Sequence, residues 1–208
     1  TADKERPCTS FAVTSAKPSE GKSLTAANIA FSYAMFGKKV LLIDADMRKP
    51  TQRRLWRVEK PTGLCDFLAK ISQLELDKVK DLPLWIVCTG TIPPNPSEFL
   101  SSERMKHFVE ESAKVYDYII IDTPPINTVA DAQIVSTYVD GVVLVVKSGD
   151  TTQDELNEAI DAVRRAGGNL CGTVLNDLNM KSVKYAYKYK YGGKYGYKYS
   201  YSESYEAR

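Results

Sequence analysis

Short apolar runs alternate with longer segments of helical periodicity from residue 11 to about residue 175, which is the pattern of a βαβ protein. Several runs are apolar at consecutive positions, as expected of parallel strands that are covered by helices. The predicted strands are 11–15, 39–44, 84–88, 118–122, 141–147 and 170–175, and the predicted helices are 22–36, 63–70, 102–115, 131–138 and 152–165. In the last of these helices Thr152 is a predicted cap, with Glu155 three residues later and Gly167 after the end. We therefore predict an α/β fold with a mostly parallel sheet and helices on both faces.

This pattern stops near residue 180. Beyond Val183 the only aliphatic side chains are Ala186 and Ala207, so the segment has too little apolar surface to offset the entropy of ordering. Nine of the 13 tyrosines stand there instead: Tyr185, Tyr187, Tyr189, Tyr191, Tyr195, Tyr197, Tyr199, Tyr201 and Tyr205. We predict a folded domain over residues 1–180 and a flexible C-terminal tyrosine-rich tail over residues 181–208. An edge strand, favoured by the local Tyr–Lys alternation, is the alternative for the tail.

The net charge also changes sign near residue 180. Residues 181–208 carry seven basic and two acidic side chains, a net charge of +5, whereas the rest carries 21 basic and 24 acidic side chains, a net charge of −3. No apolar run approaches the length of about 18 residues that a membrane-spanning helix needs. The four cysteines lack CxxC spacing, which disfavours a zinc site or a disulfide framework. These features lead us to expect a cytoplasmic protein.

A phosphate-binding loop is predicted between the first strand and the first helix. The segment Ala16-Lys-Pro-Ser-Glu-Gly-Lys-Ser23 places backbone N–H groups and a helix N-terminus where they can face an anion. In such a loop Lys22 pairs with the β- and γ-phosphates and the Ser23 hydroxyl binds Mg²⁺. Ala16 replaces the first glycine of the common GxxxxGK[ST] pattern, and Lys17 precedes Lys22 by five residues, which resembles partition-type and division-site ATPases. The fold is thus predicted to be P-loop NTPase-like.

The candidate nucleotide-binding residues follow from this loop and from the end of the last predicted strand. They are Lys17, Pro18, Ser19, Glu20, Gly21, Lys22, Ser23, Leu24 and Asn176. Asn176 is a candidate for recognising the adenine edge, with a simple turn residue as the alternative.

Three aspartates stand at or just beyond the carboxyl ends of two predicted strands, where α/β proteins place their ligands. Asp44 and Asp46 lie on the same side of an extended chain, and Asp122 ends a later strand. Neighbouring carboxylates repel each other unless a cation or a proton lies between them, so Mg²⁺ and an ionising hydroxyl are the candidates. Arg48 adds a fixed positive charge nearby, although a solvated loop remains an alternative for this segment. We interpret Asp131 as the N-cap of the following helix.

Four segments together resemble a known family: SAKPSEGKS (15–23), LLIDADMRKP (41–50), PPNPSEFLSSERM (93–105) and IIIDTPP (119–125). With the tyrosine cluster, they resemble the bacterial protein-tyrosine kinases (BY-kinases) of capsule and exopolysaccharide synthesis over nearly the whole chain. The resemblance implies an autophosphorylating kinase that uses ATP and Mg²⁺ and modifies its tail tyrosines. The catalytic residues that it implies are Asp44 as the base, Lys22 and Arg48, and the metal-binding residues are Ser23, Asp46 and Asp122.

The resemblance also implies partners and a location. Similar kinases act on a neighbouring subunit, and a transmembrane activator of the polysaccharide co-polymerase type switches them on, so we expect a cytoplasmic position at the inner face of the membrane. Similar kinases carry a helix with spaced Glu and Arg ahead of the phosphate loop that helps them to form rings. Only ten residues precede Phe11, so we do not expect these 208 residues to include that helix.

Two other functions are compatible with the loop and the basic tail. One is a partition-like ATPase whose tail binds acidic lipid or DNA, and the other is a nucleotide-bound regulatory module. Binding to lipid or DNA needs lysine but nothing in it requires nine phenols, so we favour the kinase and expect no nucleic-acid partner.

Overall fold

The computed structural model describes residues 9–178, and these form one seven-stranded sheet in the order β3-β4-β2-β5-β1-β6-β7. The strands are β1 (Ser10–Ser15), β2 (Val40–Asp44), β3 (Asp77–Lys78), β4 (Leu84–Val87), β5 (Tyr118–Asp122), β6 (Gly141–Lys147) and β7 (Leu170–Asn176). All neighbouring strands run parallel except β3 and β4, which are antiparallel. The predicted fold class, a mostly parallel P-loop NTPase-like sheet, is confirmed.

The helices connect these strands. They are α1 (Lys22–Met35), α2 (Gln52–Trp56), α3 (Leu64–Leu68), α4 (Pro96–Ser101), α5 (Glu103–Ser112), α6 (Asp131–Ser136) and α7 (Gln153–Arg165). Every strand and helix expected from the sequence is present, with ends that differ by at most three residues. The capping box predicted for α7 is also present, since the Thr152 hydroxyl accepts from the Glu155 N–H and the Glu155 carboxylate accepts from the Thr152 N–H. The three short elements β3, α2 and α4 were not predicted.

Apolar side chains alternate between the two faces of the central strands. On β2, Leu41 and Ile43 pack in the core on one face, whereas Leu42 packs against α1 on the other. On β5, Ile119 and Ile120 divide in the same way. Each central strand is therefore buried on both sides, which explains why these strands read as continuous apolar runs.

The carboxyl ends of β1, β2 and β5 meet at the centre of the sheet. Asp44, the last residue of β2, lies directly opposite Asp122, the last residue of β5, in the parallel register. The loop after β1 leads into α1, which begins at Lys22. Because these three strands are adjacent, the predicted phosphate loop and the predicted aspartates lie together at one edge of the sheet.

Within residues 9–178 no helix is long and apolar enough to cross a membrane. The nine tail tyrosines and the predicted boundary between residues 180 and 181 lie outside the described residues. The division into a domain and a tail therefore stays a prediction.

Candidate active site

The loop between β1 and α1 is a tight turn that requires glycine. Ser19 and Gly21 have φ angles of 67° and 89°, both in the left-handed region. A Cβ atom on Gly21 would lie 2.1 Å from Asn176 Nδ2, and that amide donates a hydrogen bond of 3.0 Å to the Glu20 carbonyl oxygen. The end of β7 therefore braces the loop, and a side chain at position 21 would require both a strained φ angle and displacement of the Asn176 amide.

Glu20 holds the loop from within. Its side chain is fully buried; Oε2 accepts a hydrogen bond of 3.0 Å from the Lys17 N–H, and Oε1 accepts one from the Thr151 hydroxyl. Both carboxylate oxygens are thus occupied by hydrogen bonds, one within the loop and one to the turn after β6. The sequence assigned Glu20 to nucleotide binding, and the structure leaves only its backbone available for such contacts.

Lys17 points towards the start of α7 instead of towards Lys22. Its Nζ donates a hydrogen bond of 2.9 Å to the Asp150 carbonyl oxygen and lies 3.2 Å from Glu155 Oε2. The hydrogen bond with Glu155 raises the pKa of Lys17 above its usual value. Lys17 is therefore held by α7, away from the other loop lysine.

Lys22 forms a buried ion pair at the floor of the site. Its Nζ lies 2.7 Å from Asp46 Oδ2 and 3.6 Å from Asp122 Oδ1, and it donates a hydrogen bond of 3.0 Å to Ser23 Oγ. Burial disfavours the charged amine, but the charges of Asp122 and Asp46 outweigh it, so that the pKa of Lys22 lies above its usual value. The structure thus brings together four residues that the sequence assigned to phosphate and metal.

Asp44 and Asp122 are both fully buried and face each other across neighbouring strands. Asp44 Oδ2 accepts hydrogen bonds from the backbone N–H groups of Thr51, at 3.1 Å, and Gln52, at 2.9 Å. Within the described residues, Oδ1 of Asp44 and Oδ1 of Asp122 have no hydrogen-bond partner. Burial, with the charge of Asp122 as the second cause, raises the pKa of Asp44 to about 8, and burial also raises the pKa of Asp122.

Gln52, the first residue of α2, was not predicted to belong to the site. Its side chain is fully buried, and its amide Nε2 donates hydrogen bonds of 2.9 Å to both Asp122 Oδ2 and the Ser23 carbonyl oxygen. The signal in the sequence was weak, because α2 is a five-residue helix between Pro50 and Pro61 with no longer helical pattern around it.

Arg48 is held by a second acid. Its guanidinium donates to both carboxylate oxygens of Asp131, at 2.8 and 3.1 Å, and the Ser97 hydroxyl donates to the same carboxylate at 2.6 Å. The interpretation of Asp131 as an N-cap is wrong, because Ala130 occupies that position and Asp131 is the first residue of α6. Its carboxylate is fully buried and fixes Arg48 instead of capping the helix.

Lys22, Ser23, Asp46 and Arg48 line a cleft of about 490 Å³, whereas the fully buried Asp44 and Asp122 are not part of its lining. Its residues are Pro18, Ser19, Gly21, Lys22, Ser23, Leu24, Asp46, Arg48, Lys49, Thr51, Arg54, Leu55, Pro124, Pro125, Thr128 and Val129. The lining thus combines the phosphate loop with three further cationic side chains, the carboxylate of Asp46 and apolar side chains. Asn176 lies outside this cleft, in a neighbouring groove of about 570 Å³ beside α1.

The oxygen atoms available in this site are suitable ligands for a Mg²⁺-bound nucleotide. Mg²⁺ is usually held by one or two carboxylates together with phosphate oxygens and water, so a complete cage of protein ligands is not needed. Among residues 9–178 there is no group of three or more His, Cys, Asp or Glu side chains arranged to hold a metal without such help. The carboxylates of Asp46 and Asp122 and the Ser23 hydroxyl, all within reach of Lys22, could supply the oxygen ligands of Mg²⁺, and Lys22 could supply the counter-charge that phosphate requires.

Comparison with known proteins identifies the family. A family model described as an AAA domain matches residues 9–170. Tyrosine-protein kinase YwqD of Bacillus subtilis (strain 168) is 43% identical over 189 residues, covering 89% of this chain and 80% of that protein. The chain belongs to the bacterial tyrosine-protein kinases. The putative tyrosine-protein kinase CapB of Staphylococcus aureus is 38% identical over 190 residues, covering 89% of this kinase and 83% of that one.

Solved structures agree with this assignment. The kinase domain of the Escherichia coli tyrosine kinase ETK has a TM-score of 0.81 at 31% identity, covering 91% of this kinase and 72% of that chain. The septum site-determining protein MinD from Pyrococcus horikoshii OT3 has a TM-score of 0.69 at 20% identity, covering 80% of this kinase and 69% of that chain. The similarity to MinD is one of fold alone. The tyrosine-kinase family inferred from the sequence is therefore confirmed, and the P-loop NTPase-like fold predicted from the loop is shared with a division-site protein.

Proposed function

We propose that this kinase is an ATP- and Mg²⁺-dependent autokinase that phosphorylates its own tail tyrosines and thereby regulates capsule or exopolysaccharide synthesis and export. The observation that carries the proposal is the pair of buried carboxylates, Asp44 and Asp122, with unpartnered oxygens beside Lys22 and the phosphate loop. A site that only held nucleotide has no proton to transfer, whereas transfer of phosphate to a phenol needs a group that accepts the phenol proton. The family of the chain supports the choice of tyrosine as the acceptor.

Asp44 is the proposed base. A tyrosine phenol has an ordinary pKa of about 10, and a base accepts its proton more readily the closer its own pKa lies to that value. Burial and the charge of Asp122 raise the pKa of Asp44 to about 8, far closer to the phenol than an exposed aspartate. As the phenol oxygen forms its bond to the γ-phosphorus of ATP and the bond to ADP breaks, the phenol proton passes to Asp44.

Asp46, Asp122 and Ser23 are the proposed supports of Mg²⁺, which when bound neutralises charge on the transferring phosphoryl group. Lys22 is the proposed partner of the phosphates. Its ammonium now pairs with Asp46 at 2.7 Å, so we expect phosphate to compete with that carboxylate for Lys22. Arg48, which lines the cleft and is fixed by Asp131, is proposed to orient the phosphoryl group or the phenol.

The remaining loop residues are proposed to bind ATP through the backbone of Pro18, Ser19, Gly21 and Leu24, with Lys17 joining them once it leaves Glu155. Asn176, which braces the loop beside the groove along α1, is proposed to meet the adenine base. The proposed phosphoacceptors are the nine tail tyrosines, Tyr185 to Tyr205.

The proposed partners are a neighbouring copy of this chain and a transmembrane activator of the polysaccharide co-polymerase type. The activator would hold the kinase at the inner face of the membrane. The family and the capsule-related resemblance support both proposals.

Mass spectrometry of the tail after incubation with ATP and Mg²⁺ tests the proposed function. We expect phosphotyrosine in the wild type, none in Asp44→Asn with ADP binding retained, and weakened ADP binding in Lys22→Met. Asp154→Asn, an exposed carboxylate on α7, is the matched control and should behave as wild type. Tail phosphorylation by Asp44→Asn at the wild-type rate would show that the base is assigned wrongly.

A further inference from the structure

Gln52 connects all three motifs of the site through one buried side chain. Its Nε2 donates to Asp122 Oδ2 and to the Ser23 carbonyl oxygen, each at 2.9 Å, and its backbone N–H donates to Asp44 Oδ2 at 2.9 Å. Its Oε1 accepts a hydrogen bond of 3.1 Å from the indole Nε1 of Trp56. One residue thus touches the phosphate loop, the proposed base and the proposed metal support.

The orientation of this amide is fixed by its neighbours. The indole N–H of Trp56 can only donate, so Oε1 must face it, whereas the Ser23 carbonyl oxygen can only accept, so Nε2 must face that atom. Both amide hydrogens and the amide oxygen are used, as a buried amide requires. The position of Gln52 is therefore determined by partners at both ends.

This contact decides which oxygen of Asp122 is available. Because the Gln52 amide occupies Oδ2, the atom left without a hydrogen bond is Oδ1, which lies 3.6 Å from Lys22 Nζ. A carboxylate that supports a metal is commonly oriented by such an outer hydrogen bond, whose removal costs about 10- to 100-fold in metal affinity.

We propose that Gln52 is a positioning residue that turns Asp122 Oδ1 towards the magnesium nucleotide, and that its bond to Trp56 makes this indole a sensor of the metal. The inference rests on the proposed Mg²⁺ site. Trp56 belongs to α2, whose Arg54 and Leu55 line the cleft, so we expect a shift of the Gln52 amide to change the surroundings of the indole.

Fluorescence of Trp56 provides the test. The chain has two tryptophans, so Trp85→Phe leaves Trp56 as the only one. In this background we compare the parent, Gln52→Met, and the matched control Gln153→Met at an exposed glutamine of α7. Mg²⁺ is titrated into each protein saturated with ADP, and calorimetry measures Mg²⁺ binding independently.

We expect the emission of Trp56 to change with Mg²⁺ at the same midpoint in the parent and in Gln153→Met. For Gln52→Met we expect a Mg²⁺ midpoint raised by about 10-fold, loss of most of the emission change, and unaltered affinity for ADP in EDTA. Gln52→Asn, which keeps a polar amide but is one methylene too short to reach both acceptors, should raise the midpoint in the same direction if Gln52→Met does not fold.

An unchanged Mg²⁺ midpoint in a folded Gln52 variant would overturn the positioning role. Normal Mg²⁺ binding by calorimetry without any change in Trp56 emission in the parent would overturn the sensor. If the parent itself binds no Mg²⁺ in the presence of ADP, the proposed metal site is wrong and this inference falls with it, an outcome distinct from the other two.

Discussion

At the scale of single residues, the behaviour of Asp44 follows from its surroundings. It is fully buried opposite Asp122, and only one of its two oxygens has a hydrogen-bond partner among the described residues. Burial is the main cause of a pKa of about 8, with the charge of Asp122 next. Without a metal, the folded protein therefore holds a proton on Asp44 that an unfolded chain would release near pH 4.

The first prediction concerns stability against pH. Asp44 has a higher pKa in the folded state than in the unfolded chain. Its contribution to the free energy of unfolding is therefore complete below about pH 4 and is lost as the pH rises through 8. In EDTA, Asp44→Asn has no carboxyl group at this position and does not lose stability in this way. The melting temperature of the variant minus that of the wild type should therefore increase from pH 5 to pH 9. We expect a gain of at least about 1 kcal/mol, which is about 2–4 °C for a chain of this size. A pH-independent difference in calorimetric scans would contradict the pKa assigned to Asp44.

The second prediction distinguishes the backbone strain of a positive φ angle from steric overlap with Asn176 at Gly21. Gly21→Ala combines a φ of 89° with a Cβ atom 2.1 Å from Asn176 Nδ2, and it should weaken ADP binding by at least about 10-fold. Gly37 has a similar φ of 78° but open space around it, so Gly37→Ala should lower stability and leave ADP binding unchanged. Titration calorimetry of both variants checks this, and equal ADP affinity in both would refute the close packing of the loop.

At the scale of elements, the sequence predicts long periodic segments well and short ones poorly. The strands β2 and β5 were recognisable because both of their faces are apolar, and α7 because it carries a capping box and a following glycine. The helices α3 and α6 are as short, but they were predicted as parts of the longer segments 63–70 and 131–138. The helices α2 and α4, of five and six residues, lie beside prolines at positions 50, 61 and 94 and show no longer helical pattern. Gln52 and Ser97 lie on those two helices, so their contributions to the site were not predicted.

Asp131 illustrates a different limit. An aspartate at the start of a predicted helix reads equally well as a cap or as a side chain that faces another element. Its contact with Arg48 spans 83 residues of sequence and depends on the juxtaposition of α6 with the loop after β2. Contacts of this kind follow from the tertiary arrangement and have no local signal in the sequence.

The third prediction tests this link between elements. Asp131→Asn removes one charge from a pair that holds Arg48 with two hydrogen bonds, so Arg48 should become mobile. Hydrogen bonds to charged groups contribute about 1.5–3 kcal/mol each, so we expect the rate of phosphate transfer to fall by about 10-fold or more. Affinity for ADP should remain unchanged, because the hydrogen bonds of Arg48 go to Asp131 and Ser97 rather than to the phosphate loop.

The rate of phosphate transfer and the affinity for ADP together test the role of Asp131. A rate equal to that of the exposed control Asp154→Asn would show that Arg48 needs no fixed position. Arg48→Lys should lose as much rate as Asp131→Asn, because an ammonium cannot make the paired contact of a guanidinium.

At the scale of the whole molecule, the sequence predicts a phosphate-binding domain followed by a segment rich in phenols. The last 24 residues reach at most about 80 Å when extended, whereas a protein of this length has a radius of gyration of about 16 Å. The tail can therefore reach a neighbouring subunit as well as its own site. Its net charge of +5 also favours contact with the acidic body of another copy, whose net charge is −3.

The fourth prediction is that transfer occurs between subunits. An Asp44→Asn chain with an intact tail is mixed with an active chain that lacks residues 181–208. We expect phosphotyrosine on the intact tail, formed at a rate that rises with the concentration of the active chain. An intact tail that stays unmodified in this mixture would exclude transfer between subunits.

The central claim is that the γ-phosphate of ATP goes to tail tyrosines rather than to water. The most direct measurement is a rapid-quench single turnover with γ-labelled ATP, in which label on tail tyrosine and label released as free phosphate are counted in the same sample. A variant with all nine tail tyrosines replaced by phenylalanine serves as the comparison. The account predicts that most of the label reaches tail tyrosine in the wild type and that this transfer disappears in the variant. Equal release of free phosphate by both proteins, with no label on the tail, would contradict it and identify an ATPase.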